Sequence, residues 1–175
     1  YSVTVFDIAG NSSTKSFIID KTAPVFSVNN YYKAGEVISL NLVEANLNSI
    51  TISGKGTTQE RQFNASDFND GSYTVTVSDL AGNVTAKSFT VDKTAPSFSV
   101  NAYYNASETV TLKITEVNLD KITLDGTECA TSIKASELSD GVHTIKVIDM
   151  AKNETAKTFI VDKTVPVFSV NKFYK

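Results

Sequence analysis

The sequence predicts an all-β protein made of tandem β-sandwiches arranged end to end, and three observations carry that prediction. The chain repeats itself. DIAGN at 7–11 returns as DLAGN at 79–83 and DMAKN at 149–153. DKTAP at 20–24 returns at 92–96 and, as DKTVP, at 162–166, and FSVNNYY at 26–32 returns at 98–104 and 168–174. The offsets are 72 and then 70 residues for every anchor. Next, apolar residues within each unit alternate with polar ones, the period of a half-buried strand. Finally, Gly and Asp-Gly pairs separate short runs, and no segment has a helical period.

A unit of this length exceeds most solenoid repeats, which run roughly 20–50 residues, and it can hold a small core of its own. The copies divide the chain into four parts. Residues 1–20 match the closing hairpin of a preceding repeat, 21–92 and 93–162 are two complete repeats, and 163–175 match the first strand of a following one. The partial copies predict a window on a longer polypeptide, whose leader or anchor would lie elsewhere.

Each element then has its reason. VISLNL at 37–42 places Ile38, Leu40 and Leu42 on one face, and TVTLKI at 109–114 does the same with Val110, Leu112 and Ile114. Short strands follow at 50–53 and 122–125, stopped by Gly54 and Gly126. Residues 65–68 and 135–138 are expected to make one helical turn each before the Asp-Gly pairs at 70–71 and 140–141. In the next strand Tyr73, Val75 and Val77 face inward, as do His143, Ile145 and Val147, and Tyr1, Val3 and Val5 in the partial copy. The last strand, 87–92, turns Phe89 and Val91 inward.

Composition excludes several classes of function. A hydrophobic content of 41% is that of a folded chain rather than a disordered one. The net charge of −3, with both signs interspersed, offers no basic patch for nucleic acid. No apolar run approaches the roughly 20 residues that span a bilayer. One cysteine allows no internal disulfide. The single histidine, His143, aligns with Tyr73, so the position calls for a large ring with a polar edge. A catalytic base needs a partner in reach, and the sequence shows none. Cys129 has no counterpart in the other copy and reads as a bystander thiol. No phosphate loop and no His/Cys metal spacing is present, and the chain reads as non-enzymatic.

The order D-x-A-G-N, alternating strand, D-K-T-A-P, together with LVEANLNSITISG at 42–54 and ITEVNLDKITLDG at 114–126, resembles the bacterial immunoglobulin-like repeats of large cell-surface proteins and adhesins. The resemblance covers the whole chain. It implies an immunoglobulin-like sandwich of about seven strands, with Tyr1, Tyr73 and His143 as its structural corner. It also implies an extracellular location, cell-surface or secreted, in a bacterium, with a Gram-positive source. It does not choose a ligand, because one fold hosts many functions.

In such a sandwich Asp20, Glu44, Asn46, Asp79 and Asn83 gather at one pole, and Asp92, Glu116, Asn118, Asp149 and Asn153 repeat the set. Oxygen ligands of this kind suit Ca²⁺, which takes 6–8 of them, and related repeats carry calcium there. The other reading is that Asp79 and Asn83 shape a tight turn while Lys21 and Lys93 neutralise the acids. A crosslink is a separate expectation. Lys87 and Lys157 fall on the inward parity of the last strand, Asn29 and Asn101 recur in the first, and Glu44 and Glu116 lie near the second. These are the groups of an isopeptide bond, although lysines near strand ends commonly extend to water. Five N-x-S/T sequons, at Asn11, Asn64, Asn83, Asn105 and Asn153, read as products of an Asn- and Ser-rich composition.

All three prolines, Pro24, Pro96 and Pro166, sit in the linker motif, where they break the strand ladder. A linker of about four residues is too short to be a loose tether. The expected function is a semi-rigid stalk whose partners are neighbouring repeats of the same polypeptide. The rival is an adhesin whose repeats bind a host protein or glycan through aromatic pairs such as Tyr31 with Tyr32 and Tyr103 with Tyr104.

Overall fold

A computed structural model describes residues 1–170 and 172. The chain forms two compact units, Tyr1–Asp92 and Lys93–Lys175.

The first unit opens with a hairpin, β1 (Ser2–Phe6) and β2 (Ser12–Ser16). The sandwich follows with β3 (Tyr31–Tyr32), β4 (Val37–Ser39), β5 (Leu47–Ile52), β6 (Gly56–Thr58), β7 (Gln62–Asn64), β8 (Gly71–Asp79) and β9 (Val84–Val91). Five strands form one sheet in the order β3-β9-β8-β5-β6, and β4 pairs with β7 opposite it. The short β3 lies parallel to β9, with Tyr31 beside Thr90 and Tyr32 beside Val91. Alternation places Val75 and Val77 of β8 and Phe89 and Val91 of β9 in one buried cluster with Phe26, Ile38, Ile50 and Phe68.

The second unit repeats this plan with β10 (Ser97–Ser99), β11 (Tyr103–Tyr104), β12 (Thr109–Thr111), β13 (Lys113–Thr115), β14 (Leu119–Leu124), β15 (Thr127–Glu128), β16 (Ser132–Lys134), β17 (Gly141–Asp149) and β18 (Glu154–Val161). Its main sheet has the order β11-β18-β17-β14-β15, with β12 on β16 and β10 on β13. Val110, Ile122, Ile145, Val147, Phe159 and Val161 share its core. The single helical turns are 3₁₀, at Ala65–Asp67 and Ala135–Glu137, and each buries its alanine.

Three expectations change on contact with the structure. The run 37–42 is not one strand. Its ladder ends at Ser39, after which Leu40 N donates to Arg61 O (2.8 Å) and Leu42 N to Leu40 O (2.8 Å). Ile38, Leu40 and Leu42 are nevertheless buried, because the chain bends while keeping its apolar side inward. Tyr1, Val3 and Val5 form the expected hairpin, but their side chains are exposed. Residues 163–170 of the expected strand at 163–175 form no ladder, and residues 171 and 173–175 of that segment lie outside the described residues.

Candidate functional site

The D-x-A-G-N turn builds one pole of each unit. Asp79 ends β8 and is buried, and its two carboxylate oxygens accept the backbone N–H and the side-chain amide of Asn83, each at 2.8 Å. Gly82 between them takes φ +89°, a region that glycine enters without a Cβ penalty. Leu80 N donates to Asn46 O (2.8 Å) and ties the turn to the start of β5. Burial opposes the ionisation of Asp79. The donors of Asn83, with backbone N–H groups of Ala81 and Gly82, outweigh it and hold the carboxyl below its ordinary value. Asp149 and Asn153 repeat the same two bonds at 2.8 Å, and Met150 N donates to Asn118 O (2.7 Å).

In the first unit this turn also grips the linker that enters the sandwich. Asn83 Nδ2 lies 3.2 Å from Asp20 O and 3.4 Å from Thr22 O. Asn46 Nδ2 donates to Asp20 Oδ2 (3.3 Å), Thr22 N to Asp20 Oδ1 (2.9 Å), and Asn46 N to Glu44 Oε1 (2.7 Å). Asp20, Glu44, Asn46, Asp79 and Asn83 therefore meet in one network. Both oxygens of Asp79 are directed at Asn83, so the network is a hydrogen-bonded buckle in which N–H groups already meet the carboxylates. In the second unit Asn118 N donates to Glu116 Oε1 (2.7 Å), and Glu116 and Asp149 bring carboxylate oxygens within 4.8 Å of one another. Asp92, the last residue of the first unit, is buried and donates its N–H to Tyr32 O (2.9 Å).

The corner sits on the main sheet of each sandwich. Tyr73 Oη donates to Asn69 O (3.0 Å), and its ring stacks on Phe89 at 5.5 Å. His143 stacks on Phe159 at 5.4 Å and sets Nε2 2.9 Å from Ser139 O, four residues back as in the tyrosine copy. Its other nitrogen, Nδ1, lies 2.7 Å from Asp125 Oδ2. A carbonyl and a carboxylate only accept, so the two partners favour the doubly protonated ring, in which each nitrogen has an acceptor. Burial, which leaves the residue 5% exposed, pushes its pKa down. The Ser139 carbonyl and the Asp125 carboxylate overcome that push and raise it above the ordinary value. Asp125 is the partner the sequence did not show. Both nitrogens are engaged, so His143 has no open lone pair with which to act as a base. In the first copy Ser53 stands at this place, and its Oγ accepts Thr74 N (2.9 Å), as Asp125 Oδ1 accepts Thr144 N (2.8 Å). Tyr1, the third corner residue, stacks on Phe17 at 5.5 Å and is exposed.

The residues named for a crosslink lie along the first and last strands and at the pole. Lys87 Nζ lies 5.8 Å from the Phe26 ring centroid, and Lys157 Nζ lies 5.1 Å from that of Phe98 and donates to Phe98 O. Asn29 N and Asn101 N donate to Tyr32 Oη (3.0 Å) and Tyr104 Oη (3.1 Å), while Glu44 and Glu116 serve the turns at the pole. Cys129 packs on the second core, and burial, with the nearby Glu128 charge, pushes its thiol up and away from the reactive thiolate. Of the aromatic pairs, Tyr32 and Tyr104 are core residues, Tyr31 is half-buried, and Tyr103 is 68% exposed.

Two five-stranded sheets, each with its own opposing strands and a ring anchored four residues back, define immunoglobulin-like sandwiches. Residues 17–93 match the family described as Bacterial Ig-like domain. No curated protein matches the chain. Among solved structures, murine CEACAM1b aligns with 81% of this chain and 100% of its own at 10% identity and a TM-score of 0.43. The SGBP-B protein of the Bacteroides ovatus mixed-linkage glucan utilization locus, in complex with a mixed-linkage heptasaccharide, aligns over 99% of this chain and 55% of its own, at 14% identity and a TM-score of 0.32. The insect immune protein hemolin aligns over 94% and 56%, at 14% and 0.32. Among the described residues no helix is long and apolar enough to cross a membrane.

Proposed function

We propose that this chain is a non-enzymatic spacer segment of a bacterial surface protein, a semi-rigid stalk that projects another module from the cell. The observation that carries this reading is the grip of Asn83 on the carbonyls of Asp20 and Thr22. A sandwich that fixes its incoming linker removes the freedom that a tether would need. Only five residues, 92–96, lie between β9 and β10, and one of them is Pro96. Flexible reach grows only as about 5–6 Å times the square root of length, so this segment allows little independent motion. Extracellular display, with a Gram-positive source, goes with the reading.

Small-angle scattering tests it. The expected profile is that of an elongated particle, and a compact globule would sink the proposal. The adhesin alternative draws on Tyr103, the exposed ring of its pair. Binding on a glycan array that Tyr103→Ala abolishes would favour the adhesin over the stalk.

Calcium belongs to this proposal at the second pole, where Glu116 and Asp149 approach each other. There the two carboxylates would supply oxygen ligands and the ion would relieve their repulsion. Chelator is expected to lower the melting temperature of the second unit and leave the first unchanged. A melt that chelator leaves unchanged in both units removes the ion from the account.

A further inference from the structure

We propose that Lys163 is a positioning residue: its ammonium clamps the linker that leaves the second sandwich onto that sandwich's own 3₁₀ turn and fixes the direction in which the linker departs. The inference deepens the stalk reading and rests on it for the purpose of the clamp, while the clamp itself is a property of one sandwich. β18 ends at Val161, and Asp162 N still donates to Tyr104 O (2.9 Å), alongside β11. Asp162 Oδ1 then accepts Thr164 N (2.9 Å), a side-chain turn that bends the chain away from the ladder. Between them Lys163 is half-buried against the sandwich. Its N–H donates to Asp140 Oδ1 (3.1 Å), and its Nζ donates to Ser136 O (3.2 Å) and to Leu138 O.

These partners suit an ammonium. The end of a helical turn leaves carbonyls without a donor from within the turn. Leu138 N closes the turn on Ala135 O (3.2 Å), and Lys163 serves Ser136 O and Leu138 O. An ammonium offers three donors and no acceptor, so one side chain can serve several carbonyls through charge-assisted bonds. The platform it grips is fixed from the other side. Ala135 is fully buried, Leu138 packs on the second core, and Ser139 O lies 2.9 Å from His143 Nε2. The clamp is distinct from the grip of Asn83. The first sandwich holds the carbonyls of Asp20 and Thr22 in the linker entering it, whereas the second holds the lysine of the same motif in the linker leaving it. The motif therefore carries one handle for each side. The sequence spaces Asp70 and Lys93 as it spaces Asp140 and Lys163, so this pair of residue types recurs with the repeat.

Nuclear magnetic relaxation of the isotope-labelled full chain tests the clamp. In the native protein the heteronuclear NOEs of Lys163 and Thr164 should match those of β18. Lys163→Met keeps the stem and removes the ammonium. In that variant the NOEs at 163 and 164 should fall toward those of a loose segment, and the amide at 163 should exchange faster by about tenfold or more, while β18 keeps its values. Lys163→Arg, which retains the charge and its donors, should stay near the native values. His143 supplies a second readout. Burial pushes its pKa down and the Lys163 charge adds to that push, so Lys163→Met should raise it. Low native NOEs at 163 and 164, NOEs that Lys163→Met leaves unchanged, or a His143 pKa that does not rise would each overturn the clamp. None of these results bears on overall shape, so a compact scattering profile would remove the stalk and leave the clamp standing.

Discussion

At the corner of the first sandwich a phenol reaches a single carbonyl, whereas the second holds a histidine ring between a carbonyl and a carboxylate. The strand order, the register of the two central ladders and the stacked phenylalanine are the same, whereas the edge hairpin is tighter in the second copy, where Leu124 pairs with Thr127 and Ile52 pairs with Gly56 in the first. The position demands a flat ring on Phe89 or Phe159 and a donor aimed four residues back. Histidine meets both demands but brings a second N–H into a buried site, where an unmet donor is costly. Asp125 meets it, and it replaces Ser53, whose smaller hydroxyl was enough beside tyrosine. The two substitutions therefore form one unit, and they give the second sandwich a titrating group above pH 6.5 that this corner of the first lacks.

The comparison is broken most severely by removing the shared ring beneath the corner. Phe89→Ala should cost the first sandwich about 3–5 kcal/mol, and Phe159→Ala the second a similar amount. Phe17→Ala, in the uncovered hairpin, should leave both urea transitions in place. A large effect at Phe17 would show that the hairpin face is already packed.

The buckle is expected to matter less. Asn83→Ala removes the side-chain amide's bonds to Asp79 Oδ2 and to the linker carbonyls, leaves the backbone N–H on Asp79 Oδ1, and should cost about 1–3 kcal/mol by urea denaturation. The carboxyl of Asp79 is held below its unfolded value of 3.8, so its contribution is present above that value and is lost as pH falls through the folded one. An acid titration of the first sandwich should therefore show loss of stability only below about pH 4.

His143 sharpens the comparison directly. Its folded pKa lies above the ordinary 6.5, so its stabilisation is complete below that value and fades as pH rises through the folded pKa. The second sandwich should lose stability above neutral pH before the first does, as read by melting each unit at stepped pH. The pair His143→Tyr with Asp125→Ser should erase the difference. A second sandwich whose pH profile is unaltered by that pair would show that the charge at this corner is not what titrates.

The smallest expected effect lies in the turn. Lys152 occupies a left-handed conformation, φ +67°, where the first copy has Gly82. A side chain there costs roughly 1–2 kcal/mol, and the ion pair of Lys152 with Asp120 at 2.7 Å returns about 0–1. Lys152→Gly should raise the stability of the second sandwich by no more than about 2 kcal/mol in a urea titration.

Much of the fold was legible because each repeat checks the reading of the other. Alternation located β8, β9, β17 and β18, and the Tyr73/His143 equivalence located the corner. The bend after Ser39 was hidden, because an apolar parity persists whether or not the ladder continues. The short edge strands β6, β7, β15 and β16 carry too few apolar residues to announce themselves. Asp125 did leave a signal: with the two copies aligned, serine becomes aspartate at 53 and 125 where tyrosine becomes histidine at 73 and 143. The grip of Asn83 on Asp20 and Thr22 left none, since a side-chain amide's aim depends on where the sandwich brings distant backbone.

The central claim is that the linker holds neighbouring sandwiches in a restricted relation. Pulsed dipolar spectroscopy between spin labels at Glu60→Cys and Glu137→Cys, in a Cys129→Ser background, tests it most directly. The account predicts a narrow distance distribution that broadens when a flexible Gly-Ser segment is inserted after Thr94. An equally broad distribution before and after the insertion would contradict it.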